Sequence, residues 1–320
     1  MDKKAKIYIA GHRGMVGSAI LENLKENGYY DFVTATSSEL DLRDQQATIN
    51  FISEEKPDVI IIAAARVGGI MANNEYPWQF LYDNLMIEVN LINAAHENEV
   101  KDLIFLGSSC IYPKMAPQPL REEYLLTGLL EPTNEWYAVA KITGIKLCQA
   151  LNKQYGRNYI SMMPTNLYGP RDNFDLKTSH VLPAMMRKFH EAKENGIITM
   201  PLWGSGLPMR EFLHVEDLAE SVRFVMEYEG TLEYDLINAG TGKDLSIKEL
   251  AETVQNVVGY EGKIDWDFSK PDGTPRKLMD VSRINELGWK AEIGLEEGIR
   301  DTYRWFLENL ETIKEVEFYS

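Results

Sequence analysis

The sequence predicts a doubly wound α/β protein built on a parallel sheet, with a smaller C-terminal domain that is discontinuous in sequence. Three observations carry this expectation. Short apolar runs alternate with helical patterns through the first half. A glycine-rich turn joins the first run to the first helix, and after about residue 166 the texture changes to Gly/Pro punctuation.

Residues 6–10 read as a strand, and Val16, Ile20 and Leu24 recur at helical spacing until Gly28 closes the helix. Residues 32–36, 58–64, 103–107 and 159–164 are further strands, with helices at about 44–55, 78–98 and 136–155. Such alternation predicts right-handed crossovers and ligands outside the strand carboxyl ends. Beyond 166, Gly169, Pro170, Pro201, Gly204, Gly206 and Pro208 break the chain and strands become sparse. Residues 234–239 read as one more strand of the main sheet, 246–258 and 294–312 as amphipathic helices, and 271–281 as a loop. The expected sheet domain is 1–166 plus about 232–244; about 167–231 and 245–320 form the second domain.

Composition narrows the function. The 320 residues are 44% apolar and 26% charged, an ordinary globular balance. Forty-nine acidic against 33 basic side chains give a formal charge of −16, which argues against nonspecific nucleic-acid or anionic-membrane binding. No apolar stretch reads as a signal peptide or membrane span, so a cytoplasmic protein is expected. Two cysteines, Cys110 and Cys148, are too few for a disulfide framework or a four-thiolate site, and no metal is expected.

The turn Gly11-His12-Arg13-Gly14-Met15-Val16-Gly17 lies between the first strand and the first helix. One glycine permits the tight turn, the next lets amides approach a pyrophosphate, and the third lets helix pack on strand. The helix N-terminus then faces the anion with its partial positive charge. The spacing is GxxGxxG, a variant of the commoner GxGxxG fingerprint. An NAD-preferring site places a carboxylate at the end of the second strand. Here that strand ends Thr34-Ala35-Thr36-Ser37, with no carboxylate before Glu39, and Arg13 can pair with a 2′-phosphate. NADP(H) is the expected cofactor of a Rossmann-type sheet.

Tyr137 and Lys141 are one helical turn apart and project from one face. A neighbouring ammonium is expected to lower the phenol's pKa, making it a proton donor or acceptor near neutrality. This YxxxK spacing is common by chance, but Ser108, Ser109 and Cys110 follow the 103–107 strand at an expected active-site edge. Pro164, Thr165, Asn166 and Leu167 follow the next strand at the same edge.

The stretches 11–18, 67–71, 106–113, 131–141, 164–170, 203–214 and 272–280 together resemble the extended short-chain dehydrogenase/reductases. Within these they resemble the GDP-L-fucose synthase family, the GDP-4-keto-6-deoxy-D-mannose 3,5-epimerase/4-reductases. The resemblance implies epimerisation at C3 and C5 followed by NADPH reduction at C4. It assigns the epimerase acid–base roles to Cys110 and His180, proton donation at C4 to Tyr137, and oxyanion binding to Ser108. It places Lys141 on the nicotinamide ribose, with Leu106, Gly107, Ser109, Pro164, Thr165, Asn166, Leu167 and His180 also bordering the cofactor. Lys188, Trp203, Arg210 and Asp272 become substrate-binding positions, and helices 78–98 and 136–155 a homodimer contact.

The residues suit these roles. A thiol whose pKa is lowered by nearby positive charge can act as a base, and a histidine titrates near neutrality. Lys188 and Arg210 would offset diphosphate charge, Asp272 would accept a hydrogen bond, and Trp203 offers a flat apolar face. Cys148 is read as structural, and His96, His190 and His214 receive no role. Arg66 stands where the family leads one to expect lysine, which leaves any substrate contact there open. Rival readings are another nucleotide-sugar 4-epimerase or 4,6-dehydratase, and a nonenzymatic nucleotide-sensing regulator. A dehydratase would carry carboxylates where Ser109 and Cys110 stand, and a sensor would lose the Tyr137–Lys141 pair.

Overall fold

The computed structural model describes residues 1–230, 232–270 and 272–313. The first half supplies strands β1 (Ile7–Ala10), β2 (Phe32–Val33), β3 (Val59–Ile62), β4 (Asp102–Leu106) and β5 (Asn158–Pro164). The second supplies β6 (Asn166–Tyr168), β7 (Thr199–Trp203), β8 (Met209–His214), β9 (Leu236–Ala239), β10 (Asp244–Ser246), β11 (Lys263–Asp267) and β12 (Arg276–Lys277). Six of them form one sheet in the order β2-β1-β3-β4-β5-β9, with every neighbouring pair parallel. Every residue of β1 and β3 is buried, because helices cover both faces; hence their continuous apolar runs instead of alternation. The chain steps outward from β1 to β2, then crosses back to β3. The sheet's switch point, where ligands bind in such folds, lies between β1 and β3.

The helices of the first half are α1 (Met15–Glu26), α2 (Gln45–Glu55), α3 (Ile70–Glu75), α4 (Pro77–Glu97) and α5 (Glu135–Tyr155). Asp44 starts α2 by accepting the Ala47 amide at 2.9 Å, and Pro77 begins α4, where no amide is needed. Helices α4 and α5 lie side by side on the sheet. Then come α6 (Val181–Glu194), α7 (Val215–Glu227), α8 (Ile247–Val258), α9 (Ser282–Leu287) and α10 (Leu295–Glu308). A reciprocal Ser246–Glu249 capping box starts α8. Among the described residues no helix is long and apolar enough to cross a membrane.

Two apolar cores result. One surrounds the six-stranded sheet; the other gathers Tyr168, Leu182, Phe189, Phe212, Val254 and Phe306. Helix α7 and the segment from Met279 to Trp289 contribute to the first core, although the sequence suggested that they belong to the second unit. Buried Glu211 on β8 ties three segments together, accepting amides of Thr241 (2.6 Å), Gly242 (2.8 Å) and Met279 (2.8 Å).

Several expectations need correction. The 32–36 strand stops at Val33, because the Glu39 carboxylate takes both the Thr36 amide and hydroxyl at 2.7 Å and turns the chain. The second half is not poor in strands: β6, β8, β10 and β12 form a second, mixed sheet and β7 pairs with β11. These strands are short and partly exposed, so they lack the buried apolar run that marked the first sheet. The expected 271–281 loop contains β12, held parallel to β8. Helix 294–312 ends at Glu308, and the second half also holds α6 and α7, which no sequence reading marked and whose apolar stripes complete the two cores.

Candidate active site

The glycine turn stands at the switch point. Gly11 adopts φ +86°, and a Cβ there would meet the Ala64 amide nitrogen at 2.7 Å. Gly17 packs against the Gly11 carbonyl, leaving no room for a side chain. Gly14 differs, since a Cβ would meet only the Gly11 oxygen at 3.5 Å, and the space beyond is open. Gly14 is also the N-cap of α1, with no side-chain cap and no acidic residue in the first turn. Free amides and an uncompensated helix N-terminus fit a phosphate group. Arg13 is exposed beside the turn, and Glu39, the nearest strand-end carboxylate, is committed to Thr36. Both features suit an added ribose phosphate better than a free ribose diol.

Strand β4 delivers Ser108, Ser109 and Cys110 at its carboxyl end, where residues Ser109–Ile111 form a single 3₁₀ turn. The Ser108 hydroxyl accepts the Cys110 amide at 3.4 Å, which starts that turn. Helix α5 packs against it and carries Tyr137 and Lys141. Lys141 is buried, and its Nζ donates to the Leu106 carbonyl at 3.0 Å and meets Glu88 Oε1 at 2.9 Å. Thus the lysine reaches the strand end as expected, but its charge is paired with a carboxylate. The Tyr137 phenol is held well above its usual range by burial, then by the Cys110 and Glu88 charges. Burial outweighs the expected lowering by Lys141, whose ammonium is engaged by Glu88. Cys110 also departs from expectation. Burial pushes its thiol up, outweighing the downward pull of Lys277, Ser108 and Lys141. Cys148 is fully buried two turns beyond Lys141 on the same face of α5, as a structural cysteine should be.

His180 is the N-cap of α6, at the end of the loop that follows β6. That loop is clasped to the one after β3: the Gly69 amide donates to the Thr178 carbonyl at 2.8 Å. A Cβ on Gly69 would lie 2.7 Å from the Ser179 carbonyl oxygen, so the clasp requires glycine. His180 is exposed, and the surrounding protein and then Lys277 lower its pKa. Composition alone would have left His180 as a surface residue. On the sheet side, Pro164 closes β5, Asn166 and Leu167 enter β6 beside β8, and the Thr165 amide donates to Ala239.

The substrate-side positions form a cationic shelf. Lys188 and Lys270 place their ammoniums 5.6 and 5.4 Å from the centre of the exposed Trp203 ring. Arg210 donates to the Met209 carbonyl at 2.8 Å, and burial lowers its pKa against the pull of Asp272 and Glu131. Asp272 is turned toward Ser205, accepting its amide at 2.9 Å and its hydroxyl at 2.7 Å. Arg66 is held by Asp83 at 2.7 Å.

Two residues of this site escaped the sequence reading. Lys277 lies opposite Arg210 across the β12–β8 ladder and acts on both Cys110 and His180. It lay inside the 272–280 stretch already singled out, but in an expected loop. Glu88 interrupts an apolar helical run, Leu85-Met86-Ile87 before it and Val89 after it, which was a readable signal.

A glycine-floored dinucleotide cradle beside a Ser–Tyr–Lys cluster defines a class of enzymes that oxidise, reduce or epimerise sugar carbons. The chain belongs to the NAD dependent epimerase/dehydratase family, whose model matches residues 7–240. Within that family it is similar to the GDP-L-fucose synthase of Escherichia coli (strain K12), with 56% identity over 313 residues, 96% of this chain and 98% of that one. It is 57% identical to GDP-L-fucose synthase 1 of Arabidopsis thaliana over 309 residues, 97% of this chain and 95% of the relative. Among solved structures, a GDP-L-fucose synthetase from Naegleria fowleri bound to NADP superposes with a TM-score of 0.89. That pair is 29% identical and covers 98% of each chain.

Proposed function

We propose that this chain converts GDP-4-keto-6-deoxy-D-mannose to GDP-L-fucose, by epimerisation at C3 and C5 and NADPH-dependent reduction at C4. The observation that carries the reading is the Ser108–Cys110 turn packed against the Tyr137 helix, beside an uncapped glycine cradle. The names and NADP content of the similar proteins support the substrate and the cofactor.

The sheet unit then holds NADP(H) and the smaller unit the GDP-sugar. When bound, NADPH supplies the hydride delivered to C4. The amides of Met15 to Gly17 hold its pyrophosphate, Arg13 the 2′-phosphate and Lys141 the ribose, with residues 106–109, 164–167 and His180 along its flank. Lys188 and Arg210 offset the GDP diphosphate, Trp203 takes a ring, and Asp272 accepts a hydrogen bond. The C4 ketone acidifies the protons on C3 and C5, and Cys110 and His180 remove and return them. Ser108 then bonds the developing C4 oxyanion and Tyr137 donates its proton.

The protein is read as cytoplasmic and homodimeric. Trp78 and Tyr82 on α4 stack at 5.0 Å in full view of solvent, and Trp136 and Val139 are exposed on neighbouring α5. These apolar side chains support a self-association face on the two helices.

The test is incubation with GDP-4-keto-6-deoxymannose and NADPH while following the reduced-nicotinamide absorbance. Consumption of NADPH is expected; none, with cofactor binding verified, overturns the reading. A Cys110→Ser variant should lose solvent-deuterium incorporation at C3 and C5. Normal incorporation at both carbons would remove Cys110 from its role.

A further inference from the structure

The catalytic helix is served by a buried carboxylate for which the reaction described above has no use. Glu88 projects from α4 and is 0% exposed, and its partner Lys141 is 2% exposed. Their 2.9 Å contact joins two helices at the floor of the site. The Lys141 ammonium also lies 4.8 Å from the Phe105 ring centre and 5.7 Å from that of Tyr137. Apart from Lys141, no donor among the described residues reaches either Glu88 oxygen. The room for this carboxylate depends on Gly144, one turn beyond Lys141. A Cβ there would come within 3.0 Å of Glu88 Oε2 and 2.4 Å of the Phe105 ring.

Fold stability alone is a weak reason for such a pair, since desolvating two charges costs about as much as their attraction returns. Its effect on the neighbouring phenol is more specific. An unpaired ammonium this close, in an environment of effective dielectric about 20, would lower a phenol's pKa by roughly two units. Paired with Glu88, it presents a dipole, and most of that field is lost. The groups facing Tyr137 are then few. They are the Cys110 thiol from the 3₁₀ turn, Glu88 from α4, Lys141 on its own helix and the edge of Phe80, with Lys277 of β12 acting through Cys110.

We propose that Glu88 is a positioning residue for the reductive step: it holds Lys141 against the Leu106 carbonyl and offsets its charge, so Tyr137 enters the reaction as a neutral phenol. This rests on the reading of Tyr137 as the acid at C4. The phenol O–H bond breaks as the C4 oxygen gains its proton, and the phenolate recovers a proton from water. An enzyme that only reduces needs the phenol filled at the start of each turnover. A recycling 4-epimerase, whose tyrosine must also remove a proton, gains from the opposite setting.

The experiment is the pH profile of single-turnover NADPH consumption, pH 7 to 10.5, for wild type, E88Q and E88D. In E88Q the falling basic limb should move down by about one to two pH units. E88D, with its carboxylate drawn back by one methylene, should move in the same direction by less. Deuterium exchange at C3 and C5 without NADPH reads Cys110 separately; because Lys141 also pulls on that thiol, its profile should move by less than the reductive limb. An unshifted limb in either folded variant, whatever the loss of rate, overturns the proposal; E88D serves if E88Q does not fold. If wild type itself consumes no NADPH, the functional reading fails instead, so the two failures are distinct.

Discussion

Replacing Gly17 by alanine tests the cradle where the backbone leaves least room. A Cβ there would lie 2.2 Å from the Gly11 carbonyl oxygen, 2.6 Å from its carbon and 2.9 Å from His12 Cα. All three are backbone atoms, so no side chain can swing aside. Ordinary contact begins near 3.4 Å, and helix and turn must therefore part by about 1.2 Å. Overpacking of this kind costs about 1–3 kcal/mol, offset by the roughly 1 kcal/mol that alanine gains over glycine inside a helix. The net loss of folding stability is small, about 0–2 kcal/mol. The loss at the ligand is larger, since a displacement of about 1 Å in a positioning element costs on the order of 100-fold. Urea unfolding followed by circular dichroism measures the first quantity, and fluorescence titration with NADPH the second. Gly14→Ala is the companion, because its methyl disturbs no backbone but projects over the uncapped amides. Wild-type NADPH affinity in both folded variants would refute the assignment of this turn to the pyrophosphate.

Other outcomes follow from the same geometry. Tyr137→Phe should lower C4 reduction by about 10²- to 10⁴-fold while C3 and C5 exchange persists, as followed by deuterium NMR. Trp203→Ala should raise KM about tenfold and leave kcat nearly unchanged; an equal loss in kcat would place Trp203 in the chemistry. Burial raises the Asp172 carboxyl to about 7, so its contribution to stability is full below about pH 4 and lost as pH rises through about 7. Asp172→Asn, which keeps the acceptor for the Asn173 amide, should therefore be the more stable protein above pH 7 by up to a few kcal/mol. Unfolding midpoints that diverge toward low pH instead would contradict this sign. Trp78→Glu should halve the mass seen in sedimentation if α4 carries the self-association face.

The β1–turn–α1 unit was legible in the sequence because each glycine there answers a separate steric demand and the flanking periodicities differ. Strands β3, β4 and β5 were legible for a related reason, since burial on both faces leaves an uninterrupted apolar run. Short pieces such as β10 and β12 could not be found that way. They expose charged residues, and only their pairing with β8 defines them. The site shows the same divide. Spacing and strand position marked Ser108, Cys110, Tyr137 and Lys141 as candidates at one sheet edge, while the role given to Cys110 rested on resemblance. His180 depended on resemblance, because nothing local marks the Gly69–Thr178 clasp that fixes its loop. Pairing was harder still. The spacing of Tyr137 and Lys141 shows that they share a helix face, but only tertiary contact shows that Glu88 neutralises the lysine.

The ladder between β12 and β8 has a mechanical side. It sets Lys277 directly opposite Arg210, two like charges on one face of a parallel pair, an arrangement that pushes the strands apart. Strand β12 is only two residues long, and the Arg276–Asp244 ion pair and the Met279 amide on Glu211 hold it against that push. A diphosphate lodged between the two cations would turn repulsion into a shared attraction and tighten the ladder. Lys277 would then be held beside Cys110 and His180, so that anchoring one end of a ligand would also act on the two groups proposed to move protons at the other.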